Sequence, residues 1–263
     1  MAKQDSTMRT LVIILGLCLV CSLLVCIAVV CLRPLQEKAI NVDREKSILA
    51  AAQVEIKDND ISATYKGVIE ARLLDMATGD FLPNDEAQKI ANGNIDGFDF
   101  VKAAKSEDKS QVIPADKDKA KIRVRSKYMP VYLVKSASGE ITKVILPFYG
   151  QGLWSTMYGY LSLTTDGQVI QGVKYYSHGE TPGLGAEIEN PMFTAKWVGK
   201  KLFGEDGSVK FAVLKNVTEK DYQVDALSGA TLTSNGVSAS VQYWVDDNGY
   251  GPFLKKLKTQ GVK

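Results

Sequence analysis

Asp225-Ala226-Leu227-Ser228-Gly229-Ala230-Thr231-Leu232-Thr233-Ser234 is small, polar and flexible, and it runs directly into a helical pattern. Val237, Val241, Trp244 and Val245 recur at i, i+4, i+7 and i+8, which predicts a helix with one buried face beginning near Thr233 or Ser234. Two readings of that first turn stand open. In one, Thr233 or Ser234 is an ordinary N-cap accepting a backbone hydrogen bond. In the other, a phosphate sits against the unpaired N–H groups and the positive end of the helix dipole, and Gly229 and Ala230 let a bulky group approach the backbone.

Upstream, His178-Gly179-Glu180-Thr181-Pro182-Gly183-Leu184-Gly185 packs three glycines and a proline into eight residues. A loop so constrained places backbone groups close to a ligand, although His178 taken alone reads as an ordinary surface histidine. Further upstream, Tyr149-Gly150-Gln151-Gly152-Leu153-Trp154-Ser155 brackets aromatic residues with glycines, as either a packed corner or a stacking platform. Around these segments the texture is β-rich, with runs at Val131 to Val134, Ile141 to Pro147, Tyr160 to Thr164, Val169 to Tyr176 and Val209 to Leu214. Turn signals at Ser138-Gly139 and Asp166-Gly167 predict hairpins. A helix is expected after Pro191, with Phe193, Trp197 and Val198 on one face.

The amino-terminal half reads differently. Leu11 to Leu32 is a run of 22 uncharged residues. At 1.5 Å per residue it covers roughly 33 Å, enough to cross a bilayer as a helix. It is longer than a signal-peptide core, and Val29-Val30-Cys31-Leu32 is no small-residue cleavage site. Flanking charge leaves the orientation undecided, because long domains translocate largely regardless of it. Leu35 to about Val54 predicts a second helix leaving the membrane, and the charge-dense stretch from Lys102 to Lys127 reads as solvated, partly mobile surface. Residues 55–130 carry no motif.

Composition removes whole classes of chemistry. The 263 residues are 45% apolar with 32 basic against 30 acidic residues, a net charge of +2 that gives no basic face for nucleic acid. All four cysteines (Cys18, Cys21, Cys26, Cys31) lie in the apolar run, where they read as small apolar side chains, and His178 is the single histidine. A zinc centre therefore lacks ligands, and cysteine catalysis lacks a nucleophile outside the membrane. Gly-x-Ser-x-Gly, the P-loop and Gly-x-Gly-x-x-Gly are all absent, so redox chemistry would need a bound cofactor.

The segment Asp225 to Thr231, Asp-x-x-Ser-Gly-Ala-Thr, resembles the flavinylation motif of membrane-associated proteins that carry FMN through a phosphoester to the final threonine. Together with His178 to Gly185, Gly152 to Ser155 and Asn248-Gly249-Tyr250-Gly251-Pro252-Phe253, it is similar to the FMN-binding family represented by the NqrC subunit of sodium-translocating NADH:quinone reductases. The RnfG subunit of Rnf complexes shares that family. The resemblance implies an α+β fold: a cytoplasmic tail (1–10), one transmembrane helix (11–32), a membrane-proximal helix and variable region (33–130), and an FMN-binding domain (131–263) on the periplasmic side of a bacterial inner membrane.

It further implies FMN on Thr231, attached by a flavin transferase that takes FAD and a divalent metal, with Asp225 positioning that metal or being read by the transferase. Ser228, Gly229, Ala230 and Thr233 would surround the phosphate. Trp154, Glu180, Thr181, Gly183 and Leu184 would border the ring, with a surface acid as the competing role for Glu180. The chain would relay electrons from NADH towards ubiquinone within a sodium-exporting translocase, partnered by the other subunits, and would oxidise no NADH alone. An Rnf-type ferredoxin:NAD oxidoreductase subunit is the alternative from the same family. A flavin-free membrane-anchored sensor or scaffold, with Thr231 only capping a helix, is the alternative from another class.

Overall fold

The computed structural model describes residues 7–262, so the first six residues of the expected tail lie outside the described residues. The chain divides into two compact units, one reaching Asp43 and one running from Arg44. Helix α1 (Thr7–Ala52) is continuous where two helices were expected, passing through Pro34 in its interior. Along Leu11 to Leu32 its side chains, the cysteines included, are all exposed, and it is long and apolar enough to cross a membrane.

The second unit is an α+β fold. Its elements, in chain order, are α2 (Ile61–Val68), β1 (Ile69–Asp75), β2 (Asp80–Phe81), α3 (Asn84–Ile90), α4 (Phe100–Ala103), β3 (Ser110–Val112), β4 (Val124–Ser126) and β5 (Tyr128–Lys135). There follow β6 (Ile141–Gln151), β7 (Thr156–Thr164), β8 (Ile170–Ser177), α5 (Pro191–Thr194), β9 (Ala212–Leu214), β10 (Gln223–Asp225), α6 (Thr231–Val245) and α7 (Gly251–Gln260). Six strands form one antiparallel sheet in the order β2-β1-β5-β6-β7-β8.

This sheet is covered on both faces, and the two-residue period of its strands sorts their side chains between two cores. Val131, Leu133, Val144, Leu146, Leu161 and Leu163 join the larger core with α6 and α7. Tyr132, Val134, Ile145 and Tyr160 point to the other side, against Ile48, Leu49, Ala51 and Ala52 of the last turns of α1. There Arg44 donates to Asp96 at 2.6 Å, the Tyr65 hydroxyl donates to the same carboxylate at 2.5 Å, and Lys143 Nζ caps the Ala52 carbonyl at 2.6 Å. Double coverage explains why the strands read as nearly continuous apolar runs instead of alternating ones.

The expected β runs at Val131 to Val134, Ile141 to Pro147 and Tyr160 to Thr164 are found, extended at their ends, while the last two are trimmed at their starts, to Ile170–Ser177 and Ala212–Leu214. Gly139 and Gly167 turn two hairpins in the left-handed region. Val169 lies outside β8, in an isolated bridge to Lys201, and Val209 pairs with Phe203 ahead of β9. The helix expected after Pro191 is a single α turn followed by a 3-10 turn at Ala195–Trp197. Phe193 and Trp197 are buried, but Val198 lies past the turn in extended backbone and is exposed.

Two expectations for the middle of the chain are corrected. Residues 102–127 form ordered structure: β3 pairs with β4, and Arg125 is buried, donating to the carbonyls of Asn248 and Ser126. Lys102, Lys105, Lys117, Lys119 and Lys121 face solvent, while Lys109 is half-buried and donates to the Ile90 carbonyl at 3.0 Å. Residues 61–130 are not a region separate from a domain beginning at 131, since β1 pairs with β5 along its whole length inside the same sheet.

Candidate functional site

Helix α6 is fixed to the sheet through close approaches that glycines permit. A Cβ on Gly236 would collide with the Gln151 carbonyl, and one on Gly150 would collide with the Ser240 hydroxyl. Trp244 Nε1 donates to the Tyr149 carbonyl at 2.6 Å, and the ring of Tyr250 reaches the Pro147 carbonyl at 2.8 Å through its hydroxyl. The helix thereby starts at a set place, and it starts at Thr231, two to three residues before the expected position.

Its first turn lacks a side-chain cap. The N-cap is Ala230, which has no acceptor to offer the leading N–H groups. The expected capping role of Thr233 and Ser234 is replaced: Ser234 Oγ accepts from the Leu227 N–H at 3.0 Å and so closes the preceding turn, while Thr233 Oγ1 donates to Glu180 at 2.6 Å. Both are buried; Thr231 and Ser228 are exposed. Gly229, in the left-handed region at φ 74°, bends the chain into the helix, and a Cβ there would stand 3.2 Å from the Leu184 side chain.

Glu180 organises the surroundings. It is buried, which overturns its reading as a surface acid. Its carboxylate accepts from the N–H groups of Trp154 at 3.0 Å, Leu153 at 3.2 Å and Ser155 at 3.3 Å as well as from Thr233. Burial by itself would raise its pKa. The Thr233 hydroxyl and the N–H groups of Trp154, Ser155 and Leu153 outweigh that and hold the carboxyl below its ordinary range. One side chain thus ties the Gly152–Ser155 turn and its own loop to the start of α6. Gly185 and Gly152 are the small residues that let it fit, since a Cβ on either would come within 2.5–2.9 Å of a Glu180 oxygen. His178 supports the same residue: its Nδ1 accepts from the Glu180 N–H at 3.1 Å and its Nε2 lies 3.2 Å from Glu189.

The clamp presents an apolar rim. Trp154 is 68% exposed, its indole N–H donating to Thr181 Oγ1 at 3.1 Å, and Leu184 is 45% exposed. Gly183, also left-handed, lets the Leu184 and Ala186 N–H groups reach the Thr181 carbonyl. Leu232, 60% exposed and next to Thr231, was not among the expected residues. Its signal was present in the sequence, as the leucine that falls off the stripe formed by Val237, Val241 and Trp244. Asp225 ends β10 on the surface, where Lys196 approaches it to 3.5 Å.

These features fit FMN. A phosphate needs an exposed attachment point and N–H donors, which the first turn of α6 supplies. A planar, largely apolar ring system needs exposed apolar walls, and Trp154, Leu184 and Leu232 are costly to leave in water unless something covers them. A side chain at position 229 would intrude on the same space.

Comparison with known proteins agrees. A family model described as FMN-binding domain matches residues 152–246, the stretch from the Glu180-bound turn to the end of α6. The NqrC subunit of the Na(+)-translocating NADH-quinone reductase of Pasteurella multocida is 46% identical, with 97% of this chain and 96% of that protein covered. The corresponding subunit of Neisseria meningitidis serogroup B is 44% identical over the whole of both chains. Among solved structures, the crystal structure of Shewanella oneidensis NqrC superposes with a TM-score of 0.76 at 33% identity, covering 84% of this chain and 100% of that one.

Proposed function

This chain belongs to the NqrC family of Na(+)-translocating NADH-quinone reductase subunits, and we propose that it carries FMN as a phosphoester on Thr231 and relays electrons between neighbouring subunits of that complex. In this reading α1 anchors it in the bacterial inner membrane with the FMN domain on the periplasmic side, and electron flow from NADH towards ubiquinone is coupled elsewhere in the assembly to sodium export. Bound flavin supplies reversible one- and two-electron chemistry. The chain's own residues hold, orient and partly expose it.

The observation that carries the reading is the division of labour among the hydroxyls at the start of α6. Thr233 is buried and donates to Glu180, Ser234 is buried and accepts from Leu227, and Thr231 stands exposed on the uncapped first turn. Modification by a flavin transferase needs an accessible oxygen, and the motif's last residue offers one. Trp154 and Leu184 would border the ring, with Thr181 holding the indole and Gly183 shaping the loop behind it. Ser228, Gly229 and Ala230 would line the phosphate, while Glu180 and Thr233 act one layer further in by fixing the walls. Asp225, exposed beside Lys196, suits recognition by the transferase and its divalent metal. Attachment through phosphate leaves the ring chemically unaltered, so its potential follows from local hydrogen bonding and burial, and the tether keeps it in place through every turnover.

The test is fluorescence after denaturation. Coexpressed with a flavin transferase, the chain should give a fluorescent band on a denaturing gel and an intact mass raised by FMN minus water. Thr231→Ala should be dark at unmodified mass, and Thr233→Ala should still carry flavin. A fluorescent Thr231→Ala band would overturn the assignment. An Asp225→Ala chain that is fully flavinylated would remove the role given to Asp225.

A further inference from the structure

Beside the flavin segment, a cavity of about 650 Å³ is lined by Lys196, Lys200, Lys215 and Lys220, with Val217 in its wall and Asp225 as its acid. In a chain whose net charge is only +2, four lysines around one groove are a local concentration of positive charge. The groove joins the site physically. Asp225 begins the flavin segment, pairs with Leu214 across the β9–β10 ribbon and meets Lys196 at 3.5 Å. Within that segment, a Cβ on Gly229 would stand 3.2 Å from the Leu184 side chain.

Most of the large apolar residues exposed on this unit lie along the same segments, Ile56, Val112 and Tyr176 apart. Leu153, Trp154, Leu184, Met192, Val198, Leu214 and Leu232 are each between 38% and 80% exposed. Met192 and Val198 flank Lys196, and Leu214 precedes Lys215. An apolar centre beside a charged rim is the anatomy of a protein interface.

We infer that this face docks an acidic surface of a partner protein, with the lysine groove engaging Asp and Glu side chains beside the exposed flavin-site rim. The lysines point to a carboxylate-bearing surface and not to a small polyphosphate. They come from separate segments, the turn after α5 and the loop between β9 and β10, and no arginine is among the residues lining the groove, so no planar fork is offered. Lys200 moreover already donates to the Lys220 carbonyl, which fixes its ammonium at the wall of the groove. Compact, strongly hydrated ammonium groups spread over a face suit a broad acidic patch, which they steer and orient. The inference rests on the flavin reading only for why this face matters; the charge and exposure stand without it.

Zero-length carbodiimide cross-linking of the intact membrane complex, followed by peptide mapping, tests it. Lys200, Lys215 or Lys220 should be joined to Asp or Glu residues clustered in one segment of another subunit. A chain carrying Lys200→Gln, Lys215→Gln and Lys220→Gln should lose those links at least about ten-fold while keeping its other cross-links. Two results overturn the inference: lysines that link only to carboxylates of this chain while other parts of it do reach neighbours, and lysines left fully reactive to acetylation in the complex but shielded by vesicles of anionic phospholipid or by inorganic phosphate. Flavin fluorescence on the same gel separates the two readings. A fluorescent chain without the links removes the docking face alone, whereas links on a dark chain keep the docking face and remove the flavin.

Discussion

Two carboxylates hold this fold, one beside the core under the end of α1 and one at the start of α6, and they are stabilised by different means. Asp96 meets charge: Arg44 from the end of α1 and the Tyr65 hydroxyl both donate to it, on the sheet face covered by α1. Glu180 meets dipoles, three backbone N–H groups and one hydroxyl, at the start of α6. A charged partner attracts at longer range and tolerates loose geometry. A ring of neutral donors works only when each is aimed, so Glu180 is a measure of how well the 152–155 turn and α6 are placed. No cation is among the clamp's donors, so with the ring placed as proposed the clamp would add a negative charge near it.

The contrast can be broken by deletion. Glu180→Ala strands four donors at once, the buried Thr233 hydroxyl and three partly buried N–H groups, and should cost about 2–4 kcal/mol, read as a fall in Tm, with loss of the flavin proposed on Thr231. Glu180→Gln should keep part of the stability, because one oxygen remains while the amide opposes a donor. Asp96→Asn preserves an acceptor for Tyr65 and loses the ion pair, for about 1 kcal/mol; a cycle with Arg44→Met should return most of that as coupling, and flavin attachment should be unaffected. A large loss of flavin in Asp96→Asn would mean that the two sites are not separate.

Acid sharpens the same comparison. The Glu180 carboxyl is held below its ordinary value of 4.5, so the stability it contributes is fully present above that pH and is lost as pH falls through the lower folded-state value. The Tm gap between the unmodified chain and Glu180→Gln should therefore be constant near neutrality and shrink on acidification below about 4.5; a gap that widens there would contradict the donor assignment. Gly229→Ala should cost no more than Asp96→Asn, about 1 kcal/mol from the left-handed backbone, with a larger proportional loss of the proposed flavin attachment because the new methyl presses on Leu184.

What the sequence disclosed follows the range of the forces involved. The Asp225 to Thr231 motif, the hairpin turns at Gly139 and Gly167 and the stripe Val237, Val241, Trp244 are local, and each was legible. Contacts made across the chain were not. Thr233 lies 53 residues from Glu180, so the sequence shows two polar residues and not the bond between them. Strand β1 is partly exposed on both faces and lacks a clean alternation; it is a strand because β5 lies beside it. Arg125 looks like one more charge in a charged stretch until Asn248, at the far end of the chain, accepts its hydrogen bond.

The closely fitted glycines under α6 would limit how a group carried on Thr231 explores space. A helix of 15 residues with Tyr243, Trp244 and Val245 sunk in the core and its glycine side pressed onto the sheet is a bracket, and Thr231 is its tip. The reach of anything fastened there is set by the rotatable bonds of its own short tether. With FMN on Thr231 as proposed, distances from its ring to an electron donor or acceptor would be decided mainly by how the whole unit is presented to its neighbours, and a loosening substitution such as Trp244→Ala should blur those distances without touching a residue proposed to border the ring.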